Sequence, residues 1–283
     1  ARATRIGFVA VLRWARLALF TVGSAPTPPF LLNTLCFALG GTLGLIWAAR
    51  SGTLAELRHV PLRVYVFGTL GLFGYHAQYF SALRLAPAAQ AGLIAYLWPI
   101  INVEFTAIIP GERLRRGHIL GALMGFAGAA LIITGGGTGF ERQYLAGYGL
   151  ALLCALTWSS YSVLSRLVGT APTASVAVFC LATALLSLPL HLMFEQTVLP
   201  TTALGWASIT GLGLGPVGLA FFVWDIGGKQ GDIQLLGTAS YAAPLLSTLA
   251  LVLCGGAAPS MTLLWAAVLI TGGALAAARA SWI

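Results

Sequence analysis

The sequence repeats itself after about 145 residues, and this duplication limits the possible folds more than any other feature. The segment Gly-Ser-Ala-Pro-Thr at residues 23–27 returns as Gly-Thr-Ala-Pro-Thr at residues 169–173. Later in each half, a Tyr-x-x-Pro sequence at residues 96–99 returns at residues 241–244. A match of this kind predicts two copies of one structural unit that share the same fold.

The composition indicates that both copies fold in a lipid bilayer. The chain is 58% hydrophobic and only 8% charged. A soluble domain carries roughly 25% charged residues, because its surface must be solvated by water. This chain has too few charges to cover such a surface. Since about 20 apolar residues make one membrane-spanning helix, its length allows about ten crossings.

Each half contains five apolar stretches, and five is an odd number. A second copy that follows an odd number of crossings must enter the membrane from the opposite side, which predicts the inverted repeat common in transporters. The predicted fold class is an all-α integral membrane protein with ten transmembrane helices as two inverted five-helix repeats. Residues 6–135 form the first repeat and residues 145–281 the second, within one membrane domain, and the connection at 136–144 is the predicted hinge. The predicted spans are 6–22, 30–49, 62–83, 87–110, 115–135, 145–168, 173–194, 202–227, 232–255 and 259–281.

The positions of lysine and arginine predict the orientation, because cytoplasmic loops carry an excess of them. Eleven lie in connections on the N-terminal side and two on the other side, which predicts that both termini are cytoplasmic. Arg84 and Lys229 occupy equivalent positions in the two repeats and fall on opposite sides, as inversion requires. Arg13 and Arg16 lie inside the first span, where they either line a polar cavity or extend towards the lipid headgroups.

The sequence does not support enzymatic chemistry or nucleic-acid binding. The pattern Gly-x-Gly-x-x-Gly at residues 213–218 matches a dinucleotide fingerprint, but it lies in an apolar stretch without the strand that such a site needs. The arginines are scattered rather than gathered in one basic patch. The four cysteines lie in apolar stretches, and the four histidines are widely separated, with His59 and His118 expected to be solvated. We therefore expect no metal, cofactor or nucleic acid, and a small molecule and the lipid bilayer as partners.

Aromatic and polar side chains in the middle of the spans are the candidates for a substrate site. Tryptophan and tyrosine normally gather at the membrane interface, which explains Trp206 and Trp265 but not the residues well inside spans. An aromatic-walled cavity with few charges suits a substrate that carries a large apolar or aromatic group. The predicted substrate-binding residues are Tyr75, His76, Tyr79, Tyr96, Trp98, Trp158, Tyr161, Ser240 and Tyr241, with Gln78 on the same helix face as the first of them.

Proline and glycine within the spans predict local helix geometry. Pro99 and Pro244 lack a backbone N–H, so each is predicted to kink its helix and to act in gating. The patterns Gly-x-x-x-Gly at residues 40–44 and 121–125 predict close contact between helices, because missing side chains let two backbones approach.

Three ionisable groups within the spans have candidate roles. His76 binds the substrate, carries a proton for coupling, or serves only in packing. Glu104 is a candidate for ion coupling or for pairing with one of the two arginines of the first span. Asp225 lies four residues before Lys229, and this spacing on a helix predicts an ion pair.

Several segments resemble a known family. The sequence at residues 82–88 (Ala-Leu-Arg-Leu-Ala-Pro-Ala), Pro99, and the Gly-Glu-Arg-Leu at 111–114 are similar to the drug/metabolite transporter superfamily, whose members carry two EamA-type repeats. Tyr-Leu-Trp-Pro at 96–99 and the stretch from Trp224 to Ser247 resemble the YddG-type bacterial aromatic amino-acid exporters. The resemblance covers nearly the whole chain and implies a bacterial inner membrane location.

The residues and the resemblance together predict a transporter rather than an enzyme. The predicted activity is export of aromatic or other apolar amino acids and related compounds, by alternating access through a central aromatic-lined cavity. A carrier for another substrate, such as a nucleotide-sugar or a cationic drug, is the alternative within transport. Outside transport, the alternatives are a membrane enzyme that acts on lipids and a non-transport membrane subunit. The sequence shows no convergent acid–base or metal-ligand groups for the enzyme.

Overall fold

The computed structural model describes residues 2–135, 139–168, 171–253 and 260–282. These residues contain fourteen α-helices and no β-strand. The predicted all-α class is confirmed for these residues. Three parts of the chain discussed above lie outside the described residues. They are residues 136–138 of the predicted hinge, Gly169 and Thr170 of the repeated segment, and Cys254. The helices are α1 (Arg2–Trp14), α2 (Leu17–Gly23), α3 (Pro29–Arg50), α4 (Leu62–Leu85), α5 (Ala88–Ala95), α6 (Trp98–Phe105), α7 (Arg116–Thr134), α8 (Leu145–Leu167), α9 (Ser175–Phe194), α10 (Ala203–Leu214), α11 (Leu219–Gln230), α12 (Ile233–Ala239), α13 (Ala242–Leu253) and α14 (Met261–Trp282).

Eight helical stretches in the described residues are long and apolar enough to cross a membrane, where the sequence predicts ten. The third predicted span is α4, whose 24 residues are long enough but are less apolar because they include the Tyr75–Tyr79 segment. The ninth is divided between α12 and α13, each too short to cross alone. The eight are Arg2–Gly23, Pro29–Arg50, Ala89–Ile108, Arg116–Thr134, Arg142–Leu167, Ser175–Phe194, Ala203–Gln230 and Met261–Ser281.

Apolar side chains cover the outside of the bundle, and polar side chains lie inside it. Leu62, Leu192 and Met193 expose 76%, 70% and 72% of their surface. Ser159 and Ser162, in contrast, are buried between helices. An apolar outer surface is costly in water and stable in lipid. The structure is therefore that of a multi-pass membrane protein.

The fourth and ninth predicted spans are broken at equivalent positions. Residues 96–97 separate α5 from α6, and residues 240–241 separate α12 from α13. Pro99 and Pro244 each lie within the first three residues of the helix that follows the break. Because proline has no N–H, it leaves the carbonyl four residues earlier without its helical partner. The predicted kinks are therefore complete breaks of the helix.

The first and eighth predicted spans are also broken, and here the sequence predicts continuous helices. Two residues separate α1 from α2, and residues 215–218, within the Gly-x-Gly-x-x-Gly pattern, separate α10 from α11. Side chains of α1 donate hydrogen bonds to backbone carbonyls at the break between α10 and α11. Arg13 Nη1 donates to Leu214 O at 3.3 Å, and Trp14 Nε1 donates to Pro216 O at 3.1 Å. Since carbonyls in a membrane need a protein partner, α1 stabilises the broken eighth span.

The most extensive helix–helix contacts are symmetric between the two halves of the sequence: each contact is repeated by the equivalent helices of the other half. α3 packs against α9, and α7 packs against α14; the members of each pair occupy equivalent positions in the two halves. α1 packs against α11, and its equivalent α8 packs against α4, the equivalent of α11. The two halves therefore interleave in one bundle, and the cavity described below lies among helices of both.

Glycines permit the closest helix contacts, as the Gly-x-x-x-Gly patterns predict. A Cβ atom added to Gly40 would lie 2.6 Å from Gly218 Cα, and one added to Gly121 would lie 2.4 Å from Gly273 O. In both places the neighbouring atom belongs to a backbone and cannot rotate away. α3 therefore contacts the break in the eighth span through Gly40, and α7 contacts α14 through Gly121.

Replacing Gly40 with alanine is expected to destabilise the fold by about 1–3 kcal/mol, the usual cost of overpacking a close contact. The measurement is the thermal unfolding midpoint of the purified protein in detergent. Gly149→Ala is the matched control, because no atom lies within 4 Å of a Cβ at that helical position. Equal midpoints for the two variants would contradict the close contact.

His118 is buried, which corrects the prediction that it is solvated. It exposes only 2% of its surface, because α7 packs against α14. Its Nδ1 accepts the Arg115 N–H at 3.3 Å, and its Nε2 lies 3.2 Å from Ser281 Oγ. The ring therefore links the start of α7 to the end of α14.

Candidate functional site

A cavity of about 120 Å³ lies where all four helix breaks meet. Seven of the nine predicted substrate-binding residues line it, together with residues on α1, α2, α11 and α13. None of the described lining residues is lysine, arginine, aspartate or glutamate, so the wall is aromatic and largely uncharged. The lining residues are Trp14, Leu17, Tyr75, His76, Tyr79, Ala95, Tyr96, Trp98, Trp158, Pro216, Val217, Phe221, Ser240 and Ala243.

A tryptophan cluster, which consists of Trp14, Trp98, Trp158 and Trp224, lies at one side of the cavity. The Trp14 ring lies 6.1 Å from the rings of Trp98 and Trp158 in edge-to-face geometry and 5.1 Å from the ring of Trp224. These spacings lie in the favourable range for aromatic pairs. Trp224 is fixed further by Nε1, which donates to Ser162 Oγ at 3.1 Å. The cluster joins helices of both halves in one aromatic wall.

α4 supplies a second aromatic wall and a histidine. The rings of Tyr75 and Tyr79 stack at 6.1 Å with 6° between their planes, and Tyr75 lies 5.4 Å from Trp158. His76 Nδ1 lies 2.7 Å from Leu72 O. Because a carbonyl can only accept, Nδ1 carries the proton and donates. When the ring is neutral, Nε2 is therefore the acceptor available to a ligand in the cavity.

Tyr161 and Tyr241 are the two predicted residues that do not line the cavity. Tyr161 packs against Gly71, where an added Cβ would lie 2.5 Å from its ring. Tyr241 is completely buried, and its Oη donates to Tyr96 O at 3.1 Å. Each side chain turns away towards a neighbouring helix. Both therefore support residues of the wall instead of facing the cavity.

Gln78 and Glu104 also lie outside the cavity. Thr157 Oγ1 donates to Gln78 Oε1 at 2.9 Å, so this amide joins α4 to α8. Glu104 is exposed on α6. The predicted pairing of Glu104 with Arg13 or Arg16 is wrong for the described residues, because Arg13 bonds a backbone carbonyl and Arg16 forms no ion pair there.

Two ion pairs lie near the end of α11, one within that helix and one between α8 and the connection before α7. The predicted pair of Asp225 and Lys229 is confirmed, with Nζ and Oδ1 2.8 Å apart. Thr173 Oγ1 also donates to Asp225 Oδ2 at 2.8 Å, which ties α11 to the segment before α9. Arg166 at the end of α8 forms an ion pair with Glu112 and donates to a backbone carbonyl before α12. These contacts tie α8 and α11 to the connections that precede α7, α9 and α12.

A cluster of hydrogen bonds around the carboxylate of Glu195 joins α3, α4 and α9. Glu195 accepts the N–H groups of Phe30 at 2.9 Å and Leu31 at 3.1 Å, and Arg84 Nη2 donates to it at 2.7 Å. His191 Nδ1 lies 3.0 Å from its second oxygen. Only 2% of the Glu195 side chain is exposed. Sequence reasoning does not find this cluster, because its members come from three distant segments.

Trp14, Pro216 and Phe221 are cavity residues that sequence reasoning misses. Trp14 lies between two arginines in the first span, whose charges conceal the cavity position of the ring. Its mid-span position is the same signal that identifies Trp98, so the residue was open to prediction. Pro216 and Phe221 depend on the break between α10 and α11, and the Gly-Pro dipeptide at residues 215–216 is the signal that could have indicated it.

Membrane-spanning helices that break around one uncharged, aromatic cavity define a carrier for small molecules. The composition, the interleaved halves and the broken helices all agree with that class. The chain belongs to the EamA-like transporter family, whose model matches residues 5–134 and again residues 145–279. It is therefore a transporter and not an enzyme, and the duplication consists of two copies of this family's repeat.

Named relatives cover nearly the whole chain. The aromatic amino acid exporter YddG of Ancylobacter novellus is 52% identical over 277 residues, which are 97% of this chain and 96% of that protein. The protein of the same name from Escherichia coli (strain K12) is 23% identical over 294 residues, with the same two shares. A solved crystal structure matches with a TM-score of 0.95 and 50% identity, covering 100% of this chain and 99% of that one.

Proposed function

We propose that this chain exports aromatic and other apolar amino acids across the bacterial inner membrane by alternating access. The aromatic wall of the cavity is the observation that carries the proposal. The name of the relative from Ancylobacter novellus, an aromatic amino acid exporter at 52% identity, supports the same substrate class. The substrate ring would lie between the tryptophan cluster and the stacked pair of Tyr75 and Tyr79.

The proposed binding residues divide into a contact layer and a supporting layer. Tyr75, His76, Tyr79, Tyr96, Trp98, Trp158 and Ser240 form the contact layer, because they line the cavity. Tyr161 and Tyr241 form the supporting layer, because one packs behind the wall and the other bonds the carbonyl at the first proline break. The aromatic faces would attract the ring by stacking and the ammonium group by cation–π contact.

The proposed topology has ten crossings in two inverted repeats, residues 6–135 and 145–281, with both termini in the cytoplasm. The interleaved packing supports it, because exchanging the halves leaves the same helix pairs in contact. α4 completes the first repeat: its 24 residues extend about 36 Å, longer than a hydrocarbon core of about 30 Å. The segment of α12 and α13 completes the second, with its break facing the cavity as in α5 and α6.

His76 is the candidate that we retain for proton coupling, because it is the only imidazole, the side-chain type best suited to carry a proton, among the described lining residues. Glu104 is exposed on α6 and would have to act from outside the cavity. Flux measured with and without an imposed pH gradient separates a coupled exporter from one that follows the substrate gradient alone. An unchanged rate would remove His76 from a coupling role.

Efflux from proteoliposomes tests the proposed function. Purified full-length chain is reconstituted, the vesicles are loaded with labelled L-phenylalanine, and release is followed against vesicles without protein. We expect release that depends on the protein and that unlabelled L-tryptophan inhibits. Release equal to that of empty vesicles would reject the proposal. Release of a nucleotide-sugar or a cationic drug in preference to phenylalanine would favour the alternative carriers.

A further inference from the structure

The central cavity has no permanent cation for the carboxylate that every amino acid carries. Its described lining residues include no lysine or arginine, and the one histidine among them, His76, donates through Nδ1 to Leu72 O. Transferring an unpaired carboxylate from water into such a site is costly. A carboxylate in this cavity therefore needs polar partners beyond the aromatic wall, and a cation beside the cavity would be a strong one.

A pocket lined by two arginines lies directly beside the cavity. Its lining residues are Arg13, Arg16, Phe20, Gly211, Leu214, Gly215 and Pro216. Pro216 lines the cavity as well. Trp14 and Leu17, which immediately follow the two arginines, face the cavity from the adjacent side of the same segment. The pocket and the cavity thus meet at the breaks in the first and eighth predicted spans.

Both arginines have donors available for a ligand. One donor of the Arg13 guanidinium is used, at 3.3 Å from Leu214 O, and its Nε is buried without a partner among the described residues. No hydrogen bond or ion pair involves the Arg16 side chain in the described part of the chain. A guanidinium has five N–H donors, and its planar fork matches a carboxylate. The pocket can therefore bind an anion through two neighbouring guanidinium groups.

The depth of the arginines favours the substrate over a lipid headgroup as the source of the anion. Arg13 lies near the middle of the candidate span Arg2–Gly23, about as far from one end as from the other. Arginine at this depth is costly to insert and normally marks a functional site. Lipid phosphates lie at the edge of the core instead of at its middle.

We propose that Arg13 and Arg16 bind the carboxylate of the exported amino acid while its side chain occupies the aromatic cavity. This inference rests on the proposed function and adds the residues that select an acid over its neutral analogues. The wild-type protein is then expected to prefer L-phenylalanine to L-phenylalanine amide, which keeps the ring and the ammonium group but has no carboxylate. Arg13→Gln/Arg16→Gln should lose that preference.

The test compares the affinities of these two compounds for purified full-length protein in lipid nanodiscs. Loss of one charge-assisted hydrogen bond lowers affinity by roughly 10-fold to 100-fold. The double variant should lose that much affinity for phenylalanine and keep its affinity for the amide. Glutamine retains an N–H donor for Leu214 O, so the fold should persist. Arg63→Gln, at an exposed position at the start of α4, is the matched control and should behave as wild type.

The single variant Arg16→Gln keeps the test decisive if the double variant does not fold, because the side chain of Arg16 has no described partner to lose. An unchanged ratio of affinities in that variant, or no preference in the wild type, overturns the inference. Loss of bound phospholipid without loss of phenylalanine affinity also overturns it and assigns the pocket to a headgroup phosphate. If the wild type neither binds nor exports phenylalanine, the proposed function itself fails.

Discussion

Replacing Trp98 with alanine is expected to reduce phenylalanine efflux by roughly thirtyfold, more than any other single change in the cavity wall. Trp98 contacts Trp14, Trp158 and Trp224 and faces the cavity. Removing its ring takes away about 2 kcal/mol of aromatic contact with the substrate, which corresponds to that factor in affinity. The measurement is initial efflux from proteoliposomes at equal protein density.

Two variants separate loss of substrate contact from loss of folded protein. Trp206→Ala removes a tryptophan that is 44% exposed on the outside of the bundle and should leave efflux unchanged. Trp98→Phe keeps a ring in the wall and should fall between the wild type and Trp98→Ala. Wild-type efflux in folded Trp98→Ala would exclude this residue from the site.

Replacing Glu195 with alanine is expected to lower the free energy of unfolding by about 3–5 kcal/mol, as removal of one partner from a buried charged cluster usually does. The carboxylate accepts two backbone N–H groups at the start of α3 and bonds Arg84 and His191. Its loss leaves donors of three helices without a partner. The measurement is the thermal unfolding midpoint of the purified protein.

The partners of Glu195 should contribute unequally. Arg84→Gln removes a partner whose side chain is 41% exposed, so its effect should be below about 1 kcal/mol. Glu56→Ala, at an exposed position before α4, is the matched control and should not change the midpoint. A midpoint for Glu195→Ala equal to that of Glu56→Ala would show that the cluster does not hold the three helices together.

The sequence predicts most of the cavity wall because the position of a residue within its own span is enough to identify it as a candidate. Tyr75 and Trp98 are found from their depth within a span, where the interface does not explain an aromatic side chain. The proline breaks are indicated in the same way, since Pro99 and Pro244 act on their own helices. In each case the residue itself carries the information, and tertiary packing only adds the direction of the side chain.

What the sequence does not predict depends on contacts between distant segments. The breaks in the first and eighth predicted spans are coupled by two hydrogen bonds, from Arg13 to Leu214 O and from Trp14 to Pro216 O. Each bond joins residues about 200 positions apart. Tyr241 is placed behind the wall only because its hydroxyl finds Tyr96 O. Such placements follow from the packed bundle and not from periodicity.

The tryptophan cluster gives the protein its own optical reporter. The chain has eight tryptophans, and four of them form this cluster, with every pair of ring centres between 5.1 and 6.2 Å apart. Indole chromophores at such distances share their excited states, so near-ultraviolet circular dichroism and intrinsic fluorescence both register their relative orientation. A phenylalanine ring that enters the cavity perturbs that coupling while absorbing little at indole wavelengths. Occupancy of the carrier can therefore be followed spectroscopically, without a label on either the substrate or the protein.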